Sequence, residues 1–216
     1  MSVTVLLADD EHLVRAGLRA LIQAEPDLSV VGEAGTGAQA VAQARQLRPD
    51  VVLMDVRMPE RTGIEATAEI LATVPDPPRI LIVTTFENDE YVYAALREGA
   101  SGFLLKRARP AEILHAIRLI AQGTTLLYPT AIRDLVRRFA RPPARDALRS
   151  ARLTNRETTV LRLIAAGLSN AEIGAELYLG NETVKTHVGN VLTKLHARDR
   201  TQAVITAYET GFITPA

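Results

Sequence analysis

Apolar residues in the first 123 positions come in short bursts separated by longer stretches in which apolar and polar residues recur at helical spacing. The run Val3 to Ala8 is apolar except for Thr4 and ends in Asp9-Asp10. His12–Ala24 follows with Leu13, Leu18, Leu21 and Ile22 as its apolar positions, a helix pattern. Leu28–Val31 reads as a strand. Thr36-Gly37 opens a helix that runs to about Arg48, where Pro49 stops it. Val51–Asp55 is a third strand, Ile64–Leu71 a helix, Ile80–Thr84 a fourth strand and Asp89–Glu98 a helix closed by Gly99. Phe103–Lys106 is a fifth strand, and Pro110 starts a last helix over Ala111–Ala121. Alternation of this kind predicts an α/β fold: a doubly wound, five-stranded parallel sheet with helices on both faces.

The pattern changes after Gly123. Pro129–Phe139 has helical spacing, with Ile132, Leu135, Val136 and Phe139 on one side, and Arg141-Pro-Pro-Ala-Arg-Asp then disfavours regular structure. From Leu153 the signal is all helix. Thr154 with Glu157 forms a capping-box pattern ahead of a helix to Ala166. Ser169 or Asn170 opens a short helix to Leu177; further helices span about Glu182 to Leu195 and Thr201 to Thr210. Two helices joined by the tight, Gly-containing turn Tyr178-Leu-Gly-Asn make a helix-turn-helix pattern in a small all-α domain. The expected division is therefore 1–123, a connector at 124–151, and 152–216.

The strand ends carry the candidate chemistry. Val51-Val-Leu-Met runs straight into Asp55, and a continuous apolar run of this length reads as a strand buried on both faces. A carboxylate within it would be costly to desolvate, so Asp55 belongs at the C-terminal end, the edge where open α/β sheets bind ligands. Asp9 and Asp10 end their strand in the same direction, and Thr84 and Lys106 close two more. If the strands adjoin, three carboxylates converge, and like charges that close need a cation. Oxygen ligands with room for water suit Mg2+, and an aspartate beside it can accept a phosphoryl group.

In the long tail helix, Val184, Val188, Val191, Leu192 and Leu195 form one apolar stripe. Opposite fall Glu182, Lys185, Thr186, Gly189 and Thr193: a cation, small residues and hydroxyls, as a helix in the major groove requires and as a solvated bundle face would also show.

Composition narrows the classes. The chain has 216 residues, 47% of them hydrophobic, and no cysteine, which excludes disulfides and thiolate zinc sites. The four histidines, His12, His115, His187 and His196, form no ligand-spaced pair. No apolar run is long enough to cross a membrane, and the N-terminus enters a strand without a signal-peptide pattern, so a soluble cytoplasmic protein is expected. Charge balances overall at 25 Lys+Arg and 25 Asp+Glu, yet residues 1–123 carry 12 basic and 17 acidic residues, and residues 124–216 carry 13 and 8. The two parts thus suit different partners. Residues 152–216 alone are almost neutral, with 7 basic and 6 acidic residues. No Gly-rich phosphate loop of the dinucleotide or P-loop type occurs.

Taken together, the motifs resemble a known family. The first 123 residues resemble the receiver domain of a bacterial two-component response regulator, of flavodoxin-like fold. The tail is similar to a LuxR-type helix-turn-helix through Leu153-Thr-Asn-Arg-Glu157, Gly167-Leu-Ser-Asn170, Thr183-Val-Lys-Thr-His187 and Arg198-Asp-Arg-Thr-Gln-Ala203. The whole resembles the NarL/FixJ class. That resemblance implies Asp55 as phosphoacceptor, and Mg2+ held by Asp9, Asp10, Asp55 and the backbone carbonyl of Arg57. It implies Thr84 as switch hydroxyl, Phe103 as switch aromatic, and Lys106 as the cation paired with the phosphoryl group. It also implies DNA contacts from Lys185, Thr186 and Gly189, with Thr183 and Thr193 as further candidates on the same helix, and it puts Gly180 or Asn181 where the family often has a capping Ser, a role Asn181 can fill. Ala203, Val204, Ala207 and Tyr208 are candidates for a tail dimer contact or for plain core packing.

The function so implied is a transcription regulator switched by a sensor histidine kinase that phosphorylates Asp55. It would dimerise on double-stranded DNA and catalyse only its own phosphoryl transfer and loss. Two other readings stand beside it: a DNA-binding regulator independent of phosphate, and an aspartyl-phosphate phosphohydrolase. The phosphohydrolase is weakened because Arg57 occupies the position where haloacid-dehalogenase-type phosphatases carry a second Asp.

Overall fold

The computed structural model of the chain describes residues 2–85, 89–123 and 153–213. The chain divides into two compact units, with the boundary between residues 126 and 127. The expected connector at 124–151 and the helix at 129–139 lie outside the described residues.

The first unit alternates β1 (Val3–Ala8), α1 (His12–Gln23), β2 (Leu28–Ala34), α2 (Gly37–Leu47), β3 (Val51–Met54), α3 (Gly63–Thr73), β4 (Arg79–Thr84), α4 (Asp89–Arg97), β5 (Gly102–Leu105) and α5 (Pro110–Ala121). All strand pairs are parallel, in the order β2-β1-β3-β4-β5. The continuous apolar runs are explained by burial on both faces. Val5, Leu7, Val51, Leu53, Leu81 and Val83 pack with Ile22 of α1 and with Ile113, Leu114, Ala116, Ile117 and Ile120 of α5. Leu6, Val52, Met54, Ile80 and Ile82, which alternate with them along the strands, are also fully buried. Ala40, Val41 and Ala44 of α2, Ala66 and Ile70 of α3, and Val92, Ala95 and Leu96 of α4 are among the buried positions of the remaining helices.

β2 is longer than the expected Leu28–Val31, because this edge strand continues through the polar Glu33. Glu33 pairs with Arg15 and Arg19 of α1. The register steps at this point: Val5 faces Val30 but Leu6 faces Gly32, so one residue bulges. Leu13, an expected apolar position of α1, is instead 84% exposed.

The second unit contains α6 (Asn155–Ala166), α7 (Asn170–Leu177), α8 (Asn181–Lys194) and α9 (Arg200–Glu209). α8 packs on α6, α7 and α9, and α9 also packs on α6. Thr154 caps α6 in the expected capping box with Glu157, and Ser169, rather than Asn170, caps α7 in a second box with Glu172. Asn181 does not cap α8: it is the first helical residue, and Gly180 occupies the N-cap without a side-chain bond. In this turn Gly174 of α7 comes close to the backbone, since a Cβ there would lie 2.8 Å from the Leu179 carbonyl oxygen. Burial decides between the two readings of the last helix. Ala203, Val204, Ala207 and Tyr208 are only 0%, 1%, 0% and 8% exposed in the single chain, so they are core residues of the helical unit.

Glu157, with its side chain 5% exposed, joins two helices. It accepts from the Thr154 amide at 2.7 Å and from Lys194 Nζ of α8 at 2.7 Å. The Lys194 ammonium, followed by the Thr154 amide, holds its carboxyl below the usual value. A depressed carboxylate contributes stability above its unfolded value of 4.5 and loses it as pH falls through the folded value. Glu157→Ala is therefore expected to destabilise the helical unit by about 1–3 kcal/mol at pH 7. Urea titration of the full chain should also show that this deficit narrows below pH 4.

Candidate functional site

Strand register brings the acids together. Ala8 of β1 faces Met54 of β3, so Asp9 and Asp55 leave the sheet side by side. This lies between β1 and β3, where the strand order reverses and ligands bind in folds of this topology. The Asp55 amide donates to the Ala8 carbonyl at 2.8 Å, which ties the two strand ends. Carboxylate oxygens of Asp9, Asp10 and Asp55 lie within 4.8 Å of one another, with Asp9 and Asp55 buried and Asp10 exposed. Mg2+ takes carboxylate and water oxygens in an octahedral shell, and three carboxylates gathered this closely at an edge with one of them exposed offer such a donor set with room for water. The residues present therefore fit a hard divalent cation.

Lys106 follows β5, whose Leu105 faces Thr84 of β4. Its amide donates to the Thr84 carbonyl at 2.8 Å, fixing where the side chain starts. Its ammonium lies 2.6 Å from Asp9 Oδ2, 3.0 Å from Asp55 Oδ2 and 3.4 Å from Glu11 Oε1. Burial works against the charge on Lys106, but the bonds to Asp9 and Asp55 outweigh it and raise the pKa. Burial also raises the Asp9 carboxyl, against the opposing pull of Lys106 and the Glu11 amide. The other oxygens are held by backbone: Asp9 Oδ1 accepts from the Glu11 amide at 2.9 Å, and Asp55 Oδ1 from the Val56 amide at 2.7 Å. Arg15 Nη1 donates to the Asp9 carbonyl at 2.6 Å.

Thr84 is fully buried at the end of β4, while Phe103 is half-buried on β5. Arg57 is exposed two residues beyond Asp55. Five of the expected residues, Asp9, Asp10, Asp55, Thr84 and Lys106, thus stand at C-terminal strand ends of one sheet edge. Three structural contributors were not legible as such. Glu11 reaches Lys106, and Arg15 steadies Asp9. Gly63 is needed for proximity as well as for a turn: a Cβ there would lie 1.8 Å from the Asp55 carbonyl oxygen. The Gly63 amide also donates to the Val56 carbonyl at 2.9 Å. The placement of Glu11 beside Asp9-Asp10 in sequence was the one available signal for it.

In the helical unit, Thr183, Lys185, Thr186, Gly189 and Thr193 all lie exposed along α8, opposite the buried Val184 and Val191. Lys185 Nζ contacts Glu182 at 2.7 Å in an exposed pair of little energetic weight. Thr186 and Thr193 donate their hydroxyls back to the carbonyls of Glu182 and Gly189.

The comparisons agree with this arrangement. Residues 5–118 match the response regulator receiver domain, and residues 151–207 match the luxR family of bacterial regulatory proteins. The chain is a LuxR-family response regulator. It is 43% identical over 213 residues to the uncharacterized transcriptional regulatory protein YxjL of Bacillus subtilis (strain 168), covering 98% of this chain and 97% of the relative. It is 42% identical to the transcriptional regulatory protein LiaR of the same strain, covering 98% and 99%. Among solved structures, the response regulator ChrA of a heme-sensing two-component system is 32% identical, with a TM-score of 0.53 and coverage of 98% and 99%. A complex of the response regulator RcsB with DNA shares the fold at 23% identity and TM-score 0.56, over 97% and 99%. The regulator therefore joins a receiver to a DNA-binding domain, and no helix among its described residues is long and apolar enough to cross a membrane.

Two glycines give opposite expectations. Gly63→Ala should destabilise the receiver by about 1–3 kcal/mol or more, because the Asp55 backbone has to move. Gly17→Ala, in α1 with nothing within 4 Å, should stabilise it by about 0.5–1 kcal/mol. Urea denaturation of both variants checks the pair.

Proposed function

We propose that the regulator is switched by phosphorylation of Asp55, with a sensor histidine kinase as the donor and double-stranded DNA as the target. The observation that supports this most strongly is the three-carboxylate cluster with Lys106 bonded across Asp9 and Asp55. An oxygen of Asp55 attacks the phosphorus of a phosphohistidine whose other ring nitrogen is protonated; the O–P bond forms as the N–P bond breaks, the bond pair stays on the nitrogen, and the imidazole leaves neutral. Asp9, Asp10, Asp55 and the Arg57 carbonyl would hold Mg2+, which when bound offsets the charge on the phosphoryl oxygens. Lys106 serves as the protein's own cation for those oxygens, since its ammonium already touches the acceptor carboxylate.

The acyl phosphate brings more negative charge and new acceptor oxygens to an edge closed by the buried Thr84. The Thr84 hydroxyl moves to a phosphoryl oxygen, and the half-buried Phe103 turns into the space it leaves. The altered α4–β5 surface favours assembly of two chains on DNA. Each chain lays α8 in a major groove, with Thr183, Lys185, Thr186, Gly189 and Thr193 toward the DNA. The dimer contact uses residues other than the buried Ala203, Val204, Ala207 and Tyr208. The protein works in the cytoplasm and has no catalytic activity beyond forming and losing its own phosphate.

Incubation with Mg2+ and acetyl phosphate should add one phosphate to the intact mass of the wild type and none to Asp55→Ala; equal labelling of the variant would contradict the assignment. Lys185→Ala should weaken binding across DNA sequences and lower the salt slope of log K by about one unit, as loss of one phosphate contact does. An unchanged slope would remove Lys185 from the contact set.

A further inference from the structure

Lys106 is shared more widely than phosphoryl transfer requires. Besides Asp9 and Asp55 it contacts Glu11 Oε1 at 3.4 Å. Among the described residues, Glu11 is the acid that reaches this ammonium without belonging to the three-carboxylate cluster. Its position is also informative. Glu11 occupies the N-cap of α1, where a short polar side chain ordinarily bonds the first free amides, yet its side chain makes no cap bond. Instead it lies at the open rim of the site, with 61% of the side chain exposed, against the Lys106 ammonium that also contacts Asp55. Its backbone already serves Asp9 through the amide bond to Oδ1, so the side chain is not needed to hold the metal-binding acids in place.

The charge around Lys106 then has a definite arithmetic. Asp9, Asp10, Asp55 and Glu11 contribute four negative charges and Lys106 one positive charge, a net of −3. A bound Mg2+ brings the rim to −1, and phosphorylation adds one further negative charge at Asp55. Glu11 is the member of this set that neither ligates the metal nor accepts phosphate in the proposed function. It occupies part of the Lys106 ammonium and places like charge beside the incoming group.

We infer that Glu11 is a positioning residue that acts through Lys106 to hold down the site's affinity for a phosphoryl group, and so sets how much of the regulator is phosphorylated at a given donor level. The inference rests on Asp55 being the phosphoacceptor. Glu11 penalises the modified state over the unmodified one because its charge is felt in both but meets an extra negative charge only in the modified state. The penalty is electrostatic at an exposed rim, so salt screens it. It does not depend on the shape of the glutamate, so a shorter carboxylate retains most of it.

Beryllofluoride provides the test, because on Asp55 it adds one negative charge as phosphorylation does and binds at equilibrium. Its apparent affinity is measured on the full chain at saturating Mg2+, by 19F NMR, for wild type, Glu11→Gln, Glu11→Asp and Asp55→Ala. Glu11→Gln is expected to bind about three- to tenfold more tightly at low ionic strength, the factor one nearby charge carries at a partly exposed site. That gain should collapse in 0.5 M salt, where the screening length is only about 4 Å. Glu11→Asp should stay within about twofold of wild type, since it keeps the charge. Equal affinities for wild type and Glu11→Gln, or a difference that salt does not reduce, would overturn the inference while leaving the phosphoacceptor in place. Absence of both beryllofluoride and acetyl-phosphate adducts on the wild type would remove the phosphoacceptor reading, and the inference with it.

Discussion

Two buried carboxylates that face each other repel unless a proton or a cation lies between them, and the receiver unit sets a cation there. Asp9 and Asp55 leave adjacent parallel strands at the same level, and burial disfavours the charge on Asp9. In this structure the Lys106 ammonium bridges them at 2.6 and 3.0 Å. The strand order, the Lys106–Thr84 backbone bond and the close approach of Gly63 to Asp55 all serve to hold these three groups in place. A site held by a shared charge is sensitive to added charge. In the proposed function, modification of Asp55 would redistribute Lys106, and the neighbouring strand ends, Thr84 included, would respond to the change.

The helical unit depends on capping and on one buried acid. Thr154 and Ser169 start α6 and α7 through reciprocal bonds with Glu157 and Glu172, and Glu157 then reaches across to Lys194 of α8. This fixes α8 by its inner face and leaves Lys185, Thr186, Gly189 and Thr193 exposed. Residues 152–216 are nearly neutral overall, so attraction of this unit to phosphates comes from cations placed locally and not from its net charge.

Much of the receiver was readable because its strands are buried on both faces and end abruptly in polar residues. Val51–Met54 followed by Asp55, and Val3–Ala8 followed by Asp9-Asp10, mark both the strands and the edge they share. Local patterns failed where tertiary partners decide. β2 ran on through Glu33 because two arginines of α1 neutralise it. Leu13 has helical spacing but lies on the outer side of α1. Ala203, Val204, Ala207 and Tyr208 could equally mark an interface or a core, and only the packing of α9 on α6 and α8 places them inside. The steric need at Gly63 and the reach of Glu11 to Lys106 involve contacts between distant segments, which residue spacing does not encode.

Whether phosphate on Asp55 governs DNA binding through this shared-charge edge is tested most directly by a binding isotherm. The DNA would be a site selected from a random pool with the phosphorylated full chain, and binding would be measured with and without acetyl phosphate. Wild type is expected to gain about 5- to 150-fold in affinity on phosphorylation, the range of ordinary coupling between two sites, while Asp55→Ala does not respond. Equal affinity of phosphorylated and unphosphorylated wild type would contradict the account.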